Sequence, residues 1–166
     1  RLYRIKGRPG GAPVSLGVES LSQASEIVHI TDDVNDILEA FPEGSLTIVL
    51  RAKSKMDHRL GGDKVAIRVV SDKTAKELLS KTGPLTATSA NLSGQDPVLD
   101  CIEAADSLCR AGESVVGIDG VCTGGLPSTL IAWHTVCESP ESLSIEVIRE
   151  GKVSSKEVLA WWKNRI

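Results

Sequence analysis

Aromatic residues are scarce in this chain of 166 residues, where they make up 3% of the sequence. The five that occur are Tyr3, Phe41, Trp133, Trp161 and Trp162. Proteins that bind single-stranded nucleic acid stack bases on aromatic side chains and usually carry an excess of basic residues. With five aromatic residues and a net charge of −3, the sequence argues against a module dedicated to RNA binding.

Several functional motifs are also missing. No apolar run approaches the roughly 20 residues needed to span a bilayer. The sequence contains neither the GxxxxGK[ST] phosphate-binding loop nor the GxGxxG dinucleotide fingerprint. The three histidines, His29, His58 and His134, are scattered without a metal-binding pairing such as HExxH, so we predict no metal site.

The four cysteines contain no CxxC pair, which disfavours a zinc site or a thioredoxin-like motif. They are Cys101, Cys109, Cys122 and Cys137. Cys101 and Cys109 lie eight residues apart on a predicted helix and therefore on one face, where small buried thiols are common. We expect reduced core cysteines rather than a disulfide, as is typical of a cytoplasmic protein.

Positive charge is concentrated at the N-terminus. Residues 1–8 hold Arg1, Arg4, Lys6 and Arg8 and no acidic residue, whereas the rest of the chain carries all 22 acidic residues. A cationic patch on an acidic body favours a small anionic ligand over a long polyanion. The length of the chain predicts one domain over residues 1–166. Because the chain begins with arginine and its single methionine is Met56, we also expect that this domain lacks its native N-terminal segment.

Hydrophobic periodicity and capping residues predict a mixture of helices and strands. Strands are predicted at 14–18, 46–50, 65–69, 85–88, 114–118, 129–133 and 145–149. Residues 1–5 resemble the tail of a helix or the approach to a loop. Helices are predicted at 21–28, 32–41, 72–81, 98–110 and 154–164, with Leu78 and Leu159 among the inward residues. Because the elements mix without strict alternation, we predict an α/β or α+β fold with a twisted mixed sheet.

Three polar clusters could carry chemistry. Lys6-Gly7-Arg8-Pro9 could converge on a phosphate, although spacing alone favours a solvated basic loop. Residues 86–94 (TATSANLSG) place small hydroxyl and amide side chains at the end of a predicted strand, where open α/β sheets bind ligands; the alternative is a polar turn. Arg68 lies within an apolar strand and needs an anionic partner, either a structural carboxylate or a substrate carboxylate.

Together these motifs resemble the YrdC-domain family, the threonylcarbamoyl-AMP synthases of tRNA modification. KGRP, KVAIRV, TATSANLSG, PSTLI and IREGKV occur in the family's order over residues 1–153. The resemblance implies a twisted mixed sheet with flanking helices around a positively charged cavity. It also implies a cytoplasmic enzyme, a nucleotidyltransferase, which converts L-threonine, bicarbonate and ATP to threonylcarbamoyl-adenylate and pyrophosphate. A partner enzyme would then transfer the threonylcarbamoyl group to adenosine 37 of tRNA.

The resemblance also implies roles for individual residues. Catalysis would depend on Lys6 and Arg8, which hold the nucleotide phosphates. Mg²⁺ would enter with ATP, and no metal site of the protein's own is implied. The further nucleotide contacts would be Ser89, Asn91 and Arg149, and the threonine contacts Arg68 and Ser128.

The sequence departs from the family pattern in places. The family's PT[DE]TxYGL segment does not occur upstream of Lys6, and its PGPLT loop is replaced by Pro42-Glu43-Gly44-Ser45-Leu46-Thr47. Two alternatives stay open: a carbamoyl-adenylate-forming domain of the hydrogenase-maturation type, and a non-catalytic module with weak RNA binding. The first normally accompanies zinc-binding modules, and no CxxC occurs here.

Overall fold

The computed structural model describes residues 1–109, 113–137 and 144–165. Its internal contacts divide the chain into two compact units. The small unit comprises Arg1–Pro13 and Thr88–Gly125, and the sheet unit comprises Val14–Ala87 and Leu126–Ile166.

The sheet unit is built on a six-stranded mixed sheet in the order β4-β1-β3-β2-β5-β6. Strands β1 and β3 are parallel, as are β2 and β5, and the other neighbouring pairs are antiparallel. The bounds are β1 Ser15–Val18, β2 Leu46–Arg51, β3 Lys64–Val69, β4 Leu85–Ala87, β5 Thr129–Ala132 and β6 Glu146–Arg149. The predicted α/β class with a mixed sheet is confirmed.

Four α-helices of the sheet unit begin at capping residues, three of which accept a hydrogen bond with their side chains. The predicted capping box of the last helix is present, because Ser154 and Glu157 each accept from the other's backbone N–H. The helices are α2 Leu21–Ser25, α3 Asp32–Ala40, α4 Lys73–Thr82 and α6 Ser155–Lys163, and a 3₁₀ turn covers His58–Leu60.

The core of the sheet unit consists of aliphatic side chains from its strands and helices, joined by two tryptophans. Strand residues Ile48, Val65 and Ile131 are almost fully buried. Trp133 packs edge-on against Trp162 of α6, with ring centroids 5.4 Å apart. The burial of these residues determines which face of each strand points inward. The packed core therefore holds in place the polar residues at the strand ends.

The small unit contains two helices, α1 Leu2–Lys6 and α5 Cys101–Leu108. Gly7 ends α1 in the left-handed conformation (φ 60°), which side chains other than glycine disfavour. The side chain of Asp100 caps α5 by accepting from the N–H groups of Ile102 and Glu103. The helix predicted at 98–110 is therefore shorter, and its predicted end at Arg110 lies outside the described residues.

Several sequence predictions are wrong in detail. Residues 114–118 form no strand, and Val116 is 89% exposed, since no neighbouring strand pairs with them in the described part of the chain. Leu78 and Leu159, expected to face inward, are 39% and 37% exposed. All four cysteines are free as predicted, but the expectation of core cysteines fails: Cys109 and Cys122 are exposed, and the other two are only partly buried.

Candidate functional site

Lys6 joins two of the sequence motifs within the small unit. It is the last residue of α1, and only 5% of its surface is exposed. Its Nζ donates hydrogen bonds to the carbonyl oxygens of Ser89 (2.5 Å) and Asn91. Its own carbonyl accepts from the N–H of Ser93 at 2.9 Å. The KGRP motif is therefore anchored to the SANLSG turn by three hydrogen bonds.

The Lys6 ammonium has no carboxylate partner among the described residues. Both of its partners are neutral carbonyl groups, and one of its three N–H bonds is left for another acceptor. Burial, and next the positive charge of Arg8, lower the pKa of Lys6. A bound anion would reverse that effect, because it would favour the charged form of the lysine.

Arg8 is half-buried and is held by backbone carbonyls. Its Nε donates to Ala12 at 3.0 Å and its Nη2 to Pro13 at 2.9 Å. Like Lys6, Arg8 donates only to neutral carbonyl groups in the described structure. The positive charges of these two predicted phosphate contacts are therefore not compensated by a carboxylate there.

The other two cations of the N-terminal patch share one carboxylate. Arg1 and Arg4 both form ion pairs with Glu113, the former at 2.7 Å. No local sequence pattern indicates this pairing, since Glu113 lies more than 100 residues away. The patch of four charges predicted from the sequence is therefore partly neutralised, and Lys6 and Arg8 are its two members without a carboxylate partner among the described residues.

A cavity of about 590 Å³ lies beside Lys6 in the small unit. Its wall is largely apolar and includes Leu2, Ile5 and Leu108, while Lys6 and Ser89 supply polar atoms. A cavity of this size matches the volume of a small organic ligand. It brings Lys6 and Ser89, two predicted nucleotide contacts, to one wall.

Asn91 is buried and partly explains the shape of the SANLSG turn. Its Nδ2 donates to the carbonyls of Leu92 (2.8 Å) and Gln95 (2.6 Å), as expected for a structural polar turn. Its Oδ1 is buried without a hydrogen-bond partner among the described residues. An unsatisfied buried acceptor of this kind is uncommon in folded proteins and marks a place where a donor can bind.

Arg68, the predicted threonine contact, lies in the sheet unit. It lies on β3, half-buried, and its Nε donates to the Gly44 carbonyl at 3.0 Å. Burial, and next the positive charge of Arg149, lower the pKa of Arg68. No structural carboxylate pairs with Arg68 in the described part of the chain, where its hydrogen-bond partner is the neutral Gly44 carbonyl.

Arg149 and Ser128 are linked within the sheet unit. The Arg149 Nη2 donates to the Ser128 carbonyl at 2.8 Å. The Ser128 hydroxyl is buried and lies 2.7 Å from the Thr47 hydroxyl. Ser128, predicted to contact threonine, and Arg149, predicted to contact the nucleotide, are therefore neighbours.

Sequence reasoning missed two hydroxyl groups near these residues. Thr47 is the hydrogen-bond partner of Ser128, and the Ser45 hydroxyl is buried without a partner among the described residues. Gly44 directly precedes Ser45, and its carbonyl oxygen accepts the hydrogen bond that orients Arg68. The signal was available, because all three residues belong to the segment that stands where the related family has PGPLT.

No group of three or more metal-ligating side chains occurs in residues 1–109, 113–137 and 144–165. No helix in those same ranges is long and apolar enough to cross a membrane.

Comparison with known proteins identifies the family. The Sua5/YciO/YrdC family model, described as telomere recombination, matches residues 1–151. A putative threonylcarbamoyl-AMP synthase of Methanocaldococcus jannaschii is 30% identical over 131 residues, which are 79% of this chain and 62% of that protein. The threonylcarbamoyl-AMP synthase of Bacillus subtilis is 30% identical over 165 residues, which are 96% of this chain and 45% of that protein.

A solved structure shows the same fold. The crystal structure of P. abyssi Sua5 in complex with L-threonine superposes with a TM-score of 0.79 at 25% identity. The match covers 95% of this chain and 45% of that one, so the chain spans less than two thirds of several proteins that it matches. The resemblance inferred from the motifs is confirmed, and the chain belongs to the Sua5/YciO/YrdC family.

Proposed function

We propose that this chain provides threonylcarbamoyl-AMP synthase activity. The reaction joins L-threonine, bicarbonate and ATP to form threonylcarbamoyl-adenylate and pyrophosphate, which makes the enzyme a nucleotidyltransferase. The observation that carries the proposal is Arg68: a half-buried guanidinium on a rigid strand, oriented by the Gly44 carbonyl and without a carboxylate partner in the described structure. The similarity to curated synthases and to a threonine-bound Sua5 structure supports it.

The proposed threonine contacts lie in the sheet unit. Because Nε of Arg68 is already used, its Nη groups are available for the carboxylate of threonine, which a guanidinium binds with paired hydrogen bonds. The Ser128 and Thr47 hydroxyls form a buried pair that can accept from or donate to the polar atoms of the amino acid.

The proposed nucleotide contacts are Lys6, Arg8, Ser89, Asn91 and Arg149. Lys6 offers its remaining N–H to a phosphate oxygen, and Arg8 adds a second positive charge. Mg²⁺ enters this proposal only as the ion carried by the ATP phosphates.

The reaction needs charge stabilisation more than a protein nucleophile. The amine of threonine captures CO₂ as a carbamate, and a carbamate oxygen attacks the α-phosphorus of ATP as pyrophosphate leaves. Negative charge accumulates on the phosphate oxygens during this step, so fixed cations in a poorly hydrated site lower the barrier. Lys6 and Arg8 are proposed to supply them, after which a partner enzyme would transfer the threonylcarbamoyl group to tRNA.

Pyrophosphate release tests the proposal directly. With MgATP and bicarbonate, we expect release that depends on L-threonine. Arg68→Ala should weaken threonine binding by at least tenfold by calorimetry, because a charged hydrogen-bond partner contributes about 1.5–3 kcal/mol. Arg51→Ala, which removes an exposed arginine from the adjacent strand β2, is the matched control and should bind threonine normally.

Two results would count against the proposal. Pyrophosphate release that is independent of threonine but requires carbamoyl phosphate would favour a carbamoyl-adenylate-forming enzyme. Unchanged threonine affinity in a folded Arg68→Ala variant would remove Arg68 from the site.

A further inference from the structure

Two cysteines of the small unit lie in direct contact. Cys101 is the first residue of α5, and Cys122 lies in the segment after Gly120. Their Sγ atoms are 3.8 Å apart. Cys122 is exposed and Cys101 is partly buried, so small molecules in solvent can reach the pair.

The backbone holds this pair of thiols in place. The N–H of Cys101 donates to the Gly120 carbonyl at 2.9 Å, and the N–H of Cys122 donates to the Leu99 carbonyl at 2.8 Å. Between these bonds Asp100 and Val121 form an antiparallel bridge. The closeness of the sulfurs therefore follows from backbone pairing, and only a small side-chain movement separates them from the bonding distance of about 2.05 Å.

The remaining cysteines have other surroundings. The Sγ of Cys109 contacts the backbone of Val115, and the Sγ of Cys137 contacts the carbonyls of Ala132 and Trp133. In the described structure the only contact between two cysteine sulfurs is that between Cys101 and Cys122, which makes these two residues the candidates for a selective reaction.

We propose that Cys101 and Cys122 form a reversible disulfide by exchange with a low-molecular-weight disulfide such as oxidised glutathione. The thiolate of Cys122 attacks one glutathione sulfur, forming a mixed disulfide and releasing one glutathione thiolate. The thiolate of Cys101 then attacks the Cys122 sulfur and releases the second glutathione thiolate. The two protons of the protein thiols pass to the glutathione thiolates, so two protein thiols are oxidised as one glutathione disulfide is reduced.

Accessibility and acidity set the order of attack. Cys122 is the more exposed thiol and meets the oxidant first. The hydrogen bond with Cys122, together with partial burial, raises the pKa of Cys101, which lowers its thiolate fraction. Cys101 is therefore the resolving thiol, which attacks once the mixed disulfide places an electrophilic sulfur beside it.

The cross-link would close a loop that contains α5. This loop also contains Ser114 and Val116, which line the cavity beside Lys6 together with Leu108 at the end of α5. A disulfide that closes a loop of about 20 residues stabilises chiefly by restricting the unfolded chain. We therefore expect the oxidised protein to melt about 5–10 °C higher than the reduced protein.

Peptide mapping after glutathione treatment tests the proposal. The folded chain is incubated with oxidised glutathione, digested without reduction and analysed by mass spectrometry. We expect a peptide pair joined through Cys101 and Cys122 that disappears after dithiothreitol treatment. Cys101→Ser should retain one glutathione on Cys122, whereas Cys122→Ser should form no intramolecular disulfide. The matched control, Cys109→Ser, should form the same disulfide as the parent.

Other patterns would overturn the proposal. They are glutathione retained on Cys122 of the parent protein without a cross-link, a disulfide that involves Cys109 or Cys137 instead, or no modification while the protein is folded. The map of the parent protein alone distinguishes these outcomes, so the test holds even where a serine variant fails to fold.

Discussion

At the scale of single residues, Lys6 carries the clearest physical imbalance. Removing an ammonium group from water is costly unless other groups compensate its charge. Two carbonyl oxygens supply hydrogen bonds but no net negative charge, and Arg8 adds repulsion. An arriving phosphate would supply the missing charge in a region where water screens poorly, so Lys6 should contribute more to anion binding than an exposed lysine does.

The lowered pKa of Lys6 predicts how nucleotide binding responds to alkaline pH. The charged form of Lys6 is lost at lower pH than that of an ordinary lysine, so ATP affinity should fall as pH rises through its pKa. Lys6→Arg keeps its charge and should lose this alkaline decline, whereas Lys6→Met should weaken binding about tenfold or more at neutral pH. Titration calorimetry between neutral and alkaline pH measures both effects.

Lys64→Arg provides the matched control, because Lys64 is exposed on β3. It should show the same alkaline decline as the parent protein. If the decline persists in a folded Lys6→Arg variant, Lys6 is not the group that titrates.

At the scale of secondary-structure elements, Thr129 connects β5 to the segment that follows β6. Its buried hydroxyl donates to the Val153 carbonyl at 2.5 Å and accepts from the N–H groups of Gly151 and Val153, each at 3.0 Å. A Cβ at Gly151 would lie 2.1 Å from the Pro127 carbonyl oxygen, so only glycine fits there. These contacts hold Ser128 and Arg149 at the ends of their strands.

Replacing Thr129 with valine tests this connection. The side chains have nearly the same shape, but the variant leaves two buried N–H groups and one carbonyl without their partner. We expect a loss of about 2–4 kcal/mol in the free energy of unfolding, measured by urea denaturation. Thr74→Val, at an exposed position of α4, should change stability by less than about 0.5 kcal/mol. A similarly small change at Thr129 would show that water satisfies these groups.

At the scale of the whole molecule, the charges do not favour a polyanion. The chain carries a net charge of −3, and two of the four N-terminal cations are paired with Glu113. A third cation, Lys6, is buried. Of the four cations, only Arg8 both lies outside the core and has no carboxylate partner among the described residues. The tertiary structure thus weakens an apparent basic patch and leaves Lys6 and Arg8 as its two cations without a carboxylate partner in the described structure.

This charge distribution predicts weak binding of tRNA. Each phosphate contact adds about 0.9 to the slope of log affinity against log salt concentration for duplex nucleic acid. We expect a slope below about 2, measured by gel shift over a series of salt concentrations, because the N-terminal patch presents few cations that are both exposed and without a carboxylate partner among the described residues. Glu113→Gln, which releases Arg1 and Arg4, should steepen the slope, and Glu103→Gln on α5 is the matched control. A parent slope near that of dedicated nucleic-acid-binding proteins would favour the RNA-binding alternative.

The motifs and the periodicity of the sequence determined most of the fold. Short, largely apolar runs around Ile48 and Ile67 located β2 and β3, and Ser154 with Glu157 located the start of α6, since these signals are local. The prediction failed where neighbours decide the outcome. A strand at 114–118 needs a pairing partner, and the burial of Leu78 and Leu159 depends on what packs beside their helices.

The same distinction between local sequence signals and tertiary contacts applies to the candidate site. The sequence by itself identified the candidate residues, because KGRP, VAIRV and SANLSG occur in the order found in the related family. Only the tertiary structure decided their electrostatic state: Lys6 is buried against carbonyls, Arg68 has no carboxylate partner among the described residues, and Glu113 forms ion pairs with Arg1 and Arg4. The reason is physical: hydrogen bonds and ion pairs between residues distant in sequence depend on separations in space, which local sequence patterns do not encode.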